Sequence, residues 1–153
     1  LYGIADGRDR LVLAACDRSL WATGRQARAA LEADPAAPPL ELVRRYLHAA
    51  SEAVSTTTQR FATDLAAVPG GPELQRAHAD YLVAITRELL EIAVERGDVG
   101  PVDTAAVARA MAGISTLFID PDVIGSLTGG PKAAADGIVD LILRGLAAPG
   151  RTE

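Results

Sequence analysis

The chain has 153 residues, enough for one domain that buries roughly 70% of its unfolded surface without disulfide or metal staples. A net charge of -5 argues against phosphate-backbone binding by this stretch itself, because basic surface supplies most of that affinity. The lone cysteine, Cys16, forbids an internal disulfide, and the most apolar window, 110–119, is far shorter than the ~20 residues that a membrane span needs, so the expectation is a soluble, cytoplasmic protein. With only 4% aromatic residues, the core must be built from Ala, Leu, Val and Ile.

No stretch alternates with period two between hairpin turns, so the pattern predicts an all-α fold. Proline and glycine cut it into about six helices. Asp6 is the expected N-cap of a first helix reaching Ala33, with Gly24 as its weak point. Pro39 suits the first turn of the next helix, 40–55, since its missing N–H has no partner there anyway. Three successive threonines, Thr56 to Thr58, have poor helix propensity and predict a bend, after which the helix resumes to Val68. Pro69-Gly70-Gly71-Pro72 is a firm break. A helix from Pro72 to Arg96 follows, capped by Gly97. Its expected buried face carries Leu74, His78, Tyr81, Ile85, Leu89 and Ile92, opposite Arg76, Asp80, Arg87, Glu91 and Glu95. Asp103 caps a helix over 104–118, Asp120-Pro121 suits a brief helical turn, and a last helix spans 131–147.

The last two helices have too little polar surface. Between Ala105 and Ile119 the only charged residue is Arg109. In the final helix Ile138, Leu141, Ile142 and Gly145 form one apolar face and Val139, Leu143 and Leu146 a second, leaving Asp136, Asp140 and Arg144 as the polar stripe. One face can be buried on the chain's own core; the second needs another partner. Mid-helix glycine costs ~1 kcal/mol relative to alanine, which suggests a packing reason. The expectation is a homodimer held by a four-helix bundle, with Ala112, Gly113, Ile138, Leu141, Ile142 and Gly145 at the interface. Burial of both helices inside one large helical core is the alternative.

Tyr46, Thr57, Phe61, His78, Tyr81, Ile85, Met111 and Phe118 stand out among many alanines as candidate walls of a small-molecule pocket. Such pockets are mostly apolar and aromatic with a few orienting polar groups, here His78 and Tyr81. The same spacing also fits plain core. Trp21 reads as an anchor between helices, Cys16 as a small buried hydrophobe, and His48 with Glu52 as a solvated or partner-contact pair. No metal is expected: Arg45 and Gln75 stand where a Glu-x-x-His pair would need acids. No P-loop, nucleophile elbow or clustered nucleophile and base is present, so neither a catalytic residue nor a cofactor is read.

Leu1, Tyr2, Gly7, Arg8, Asp9 and Leu11 resemble the junction in TetR-family regulators where the DNA-reading helix gives way to a long connecting helix. Ala5 departs, since an aromatic is usual there. Glu95-Arg96-Gly97-Asp98-Val99, followed by Asp103, Ala105-Ala106 and Gly113, is similar to the turn between that family's seventh and eighth helices. Ile138 to Ala147, ending in Gly145-Leu146-Ala147-Ala148, is a weaker third match. The resemblance implies a helical bundle that dimerises through its last two long helices. Residues 1–7 would end a DNA-binding head, with Tyr2 and Arg8 next to it and most of the helix-turn-helix upstream; residues 8–153 would be the ligand-binding and dimerisation body. The implied function is a transcriptional regulator, most often a repressor, in which a small apolar ligand controls binding to operator DNA. Ligand contacts vary across this family, so none is carried over. Two rivals stand beside it: a stand-alone helical dimerisation module without ligand, and, ranked lowest, a small helical enzyme using His78 or Tyr81 as acid–base.

Overall fold

The computed structural model describes residues 2–55, 59–117, 123 and 126–147, with side chains over 7–52, 63–114, 117, 123 and 126–147. Six helices are found among the described residues: α1 (Tyr2–Glu32), α2 (Pro39–Ser55), α3 (Gln59–Ala67), α4 (Gly71–Arg96), α5 (Thr104–Leu117) and α6 (Pro131–Leu146). Among those residues the one β-type pairing is an isolated antiparallel bridge, Val99 with Ala147, which ties the turn after α4 to the end of α6.

The helix ends follow local chemistry. The Asp103 carboxylate accepts the Ala106 N–H at 3.0 Å and so caps α5. Gly97 sits at φ 77°, a left-handed turn that glycine adopts without a Cβ penalty. There the Asp98 and Val99 N–H groups return to the Ala93 carbonyl at 2.9 and 3.3 Å, and Val99 is buried. Gly71 answers a different need. A Cβ there would fall 1.8 Å from the Leu65 carbonyl oxygen, so the end of α3 crosses the start of α4 only because no side chain intervenes. Two expectations fail at the front. Helix α1 already begins at Tyr2, which puts Asp6 inside it rather than at its cap, and it runs through Gly24 unbroken. Its length is supported by packing along α2, which outweighs the propensity cost of one glycine.

Helix α2 is the spine. It packs against α1, α4 and α6, and its Val43, Tyr46, Leu47 and Ala50 are buried. Leu82 and Leu90 of α4, Ala108, Met111, Ala112 and Ile114 of α5, and Ala135, Val139 and Leu143 of α6 complete the core. The buried stripe of α4 is Leu82, Thr86, Leu90 and Ala93, not the expected Tyr81, Ile85, Leu89 and Ile92. One residue is about 100° of rotation, so the helix is turned by that much from the sequence reading. Thr86 survives in the core because its hydroxyl donates to the Leu82 carbonyl at 2.8 Å.

Charge ties α6 to α2. His48 Nε2 lies 3.1 Å from Asp140 Oδ1, and Lys132 reaches Glu52 at 3.3 Å while bonding Asp136 on its own helix. The sequence paired His48 with Glu52; its partner is instead 92 residues away. As α2 rises from 48 to 52, α6 descends from 140 to 132, so the two helices are antiparallel. At the start of α2, Glu41 accepts 2.7 Å hydrogen bonds from both Arg44 and Arg45. The Arg44 bonds above all, with Arg45, hold its carboxyl well below the usual range, at about 2, against a smaller opposing effect of burial.

Two outcomes follow. Leu90→Ala, which empties a fully buried site, lowers stability by ~2–5 kcal/mol in urea denaturation. Glu41 holds its proton less tightly when folded than when unfolded, so its contribution is present above the unfolded value of 4.5 and lost as pH falls through about 2. The stability gap between wild type and Glu41→Gln, read by urea denaturation, is therefore open at neutral pH and closes across that acid window.

Candidate functional site

Helices α1 and α4 run side by side in the same direction. Leu13 Cδ1 would touch a Cβ on Gly70 at 3.4 Å, and eleven residues further along both helices a Cβ on Gly24 would lie 3.9 Å from Tyr81 Cε1. This equal offset sets Asp17 level with Leu74 and Trp21 level with His78. Along this shared run the helices line a cleft of about 460 Å³, within the range of small-molecule sites. From α1 it is lined by Asp17, Leu20, Trp21, Gly24, Arg25 and Arg28, and from α4 by Leu74, Ala77, His78 and Tyr81. Each set follows i, i+3, i+4, i+7 spacing, the signature of one helix face.

The cleft holds one large apolar surface in water. Trp21 is 64% exposed, so it is a cleft wall and not the buried anchor expected of the sole tryptophan. Tyr81 is 40% exposed. His78 Nε2, in contrast, is buried with no hydrogen-bond partner among the described residues. Burial lowers the His78 pKa and favours its neutral form. Acid therefore works against the fold at this position, because protonation is easier in the unfolded chain. Behind the cleft, Tyr46 is 1% exposed and its Oη also lacks a partner. Burial above all raises the Tyr46 pKa, and the group is close enough to Tyr81 and Arg28 to feel both.

The sequence candidates thus divide. His78 and Tyr81 meet in the cleft. Tyr46 and Met111 are core residues, and Ile85 packs half-buried against the core. Thr57 and Phe118 lie outside the described residues, as does the Phe61 side chain. The α1 wall is not among the sequence candidates; the signal that points to it is Leu20, Trp21 and Gly24 on one helix face.

A second feature is carried by the last two helices. Leu117, at the end of α5, is 54% exposed, and on α6 Leu141 is 62% exposed with Ile138 exposed three residues before it. A Cβ added at Gly113, Gly137 or Gly145 would meet nothing within 4 Å. Those glycines are therefore not explained by close packing inside this chain. Of the expected interface residues, Ile142 is half-buried against the core and Ala112 belongs to it, since the α5 core face takes Ala108, Met111, Ala112 and turns Gly113 outward.

Among the described residues no group of three or more His, Cys, Asp or Glu is placed to hold a metal ion, and no helix is long and apolar enough to cross a membrane. Cys16 is buried, and burial raises its thiol pKa, so it is not an activated nucleophile. Compared with family models, curated proteins and solved structures, the chain matches none.

An unpartnered buried hydroxyl costs folding free energy, so Tyr46→Phe should leave stability unchanged or raise it by ~1–2 kcal/mol. Urea denaturation checks this; a clear loss would mean that Oη has a partner in solution.

Proposed function

We propose that this chain is the ligand-binding and dimer-forming body of a TetR-like transcriptional regulator, whose helix-turn-helix head precedes Leu1. The observation that carries this reading is the position of the cleft along α1. The first residues of that helix are the ones that resemble the family's head-to-body junction, so a molecule between α1 and α4 presses directly on the helix leading to the head. The apolar outer residues of α5 and α6, Leu117, Ile138 and Leu141, support the dimer that such regulators need to present two heads to DNA.

In this reading the ligand binds the arrangement that does not fit DNA more tightly than the one that does. Moving the population from 1:99 to 99:1 takes roughly 5.5 kcal/mol of that preference. By linkage, operator DNA weakens ligand binding by the same factor that ligand weakens DNA binding.

The test begins with the reading frame upstream of Leu1, where a basic head of about 40 residues is expected, given three helices of ~11–12 residues with tight turns. The longer protein should bind duplex DNA, and a cleft ligand should change that affinity. A frame with no such head, or ligand affinity equal with and without DNA, overturns the reading. For the dimer, sedimentation should show two copies at micromolar concentration. Leu141→Arg should yield monomers of unchanged helix content, because an exposed position tolerates charge in the monomer while a buried interface does not.

A further inference from the structure

We propose that the α1–α4 cleft takes an aromatic carboxylate, with a planar body of one or two rings against Trp21 and Tyr81 and its carboxylate toward Arg25 and Arg28. This deepens the reading of the cleft as a ligand site and rests on it.

The shape supports a flat ring. Indole, phenol and imidazole come from Trp21, Tyr81 and His78, set within one turn of each other by the shared register of the two helices. Aromatic faces favour offset or edge contacts with another ring. Gly24 lies beside Tyr81, where a Cβ would just reach contact at 3.9 Å and a long side chain would fill the space next to the ring.

Charge sets the orientation. Along α1, Arg25 and Arg28 lie about 12 and 16 Å beyond Asp17 at 1.5 Å per residue, so the cleft is negative at one end and doubly positive at the other. No ion pair to Arg25 is found among the described residues; Arg28 faces Glu32 at 3.5 Å with both side chains mostly in solvent. Such an exposed pair is weak and readily exchanged for a better partner. A carboxylate matches the planar guanidinium fork in two parallel hydrogen bonds. In a chain of net charge -5, this local excess of arginine is what lets an anion approach. Between the two ends the His78 ring forms part of the wall, with its Nε2 turned away from solvent.

The test uses Trp21, the only tryptophan, whose single indole N–H resonance reports on the cleft. The probes are 2-naphthoate, its neutral counterpart 2-naphthamide, and 2-naphthylmethylammonium. Naphthoate should shift the Trp21 signal saturably, at an affinity about tenfold or more above the amide. The exposed double variant Arg25→Gln with Arg28→Gln should erase that preference while keeping its helix content, and Gly24→Leu should abolish binding of both. If the amide or the ammonium binds as well as naphthoate, or if the double variant keeps the preference, the carboxylate proposal is overturned while the cleft remains a ligand site. If none of the three saturates at millimolar concentration, the ligand-site reading fails with it.

Discussion

Helix α6 is seated on α2 and α5 by a buried apolar stripe, Ala135, Val139 and Leu143, and charge flanks that contact. His48 with Asp140 and Lys132 with Glu52 run along the edge of α2 beside it. Once that stripe is fixed, helical geometry leaves no choice for the rest. Val139 and Leu143 fall on the core, and Ile138 and Leu141, one and two residues round, fall outside. The exposed apolar face is what remains of α6 once its narrow core stripe is buried and its charges lie along α2.

The same spine governs the cleft. Helix α1 is carried along α2, and α4 packs on α2 as well, with Leu82 and Leu90 in the shared core. Direct packing between α1 and α4 is slight by comparison. They come near one another at Leu13 with Gly70 and at Gly24 with Tyr81, and the cleft opens along the same faces. A cleft made in this way is lined by side chains that no core contact demands, which is why indole, imidazole and two guanidinium groups can share it.

Helix ends were legible because their causes are local. Gly97, Asp103 and Pro131 act within one turn, and the structure places the end of α4 and the starts of α5 and α6 there. Helix faces were less so. Apolar residues surround much of α4, so two stripes one residue apart compete, and only packing against α2 and α5 selects the one containing Thr86. Trp21 misled by size: a large ring suggests burial, yet nothing in the sequence states that α4 stands far enough off to leave an open cleft against it. Asp140 read as solvent-facing because its partner, His48, is remote in sequence. Long-range pairings and helix rotation are properties of the assembled bundle, whereas caps and breaks belong to a few consecutive residues.

Lys132 is the only lysine in the sequence, and it sits in the seam between α2 and α6. Every acyl group that would react with a side-chain amine therefore has one destination here. Arginine carries all the other positive charge and does not accept such groups. Acetylation at this atom would take the cation from between Glu52 and Asp136 and leave two carboxylates facing one another across the joint. The sole acylatable side chain thus belongs to the joint between α2 and α6, so a single small chemical mark bears directly on the helix that carries the outward apolar face.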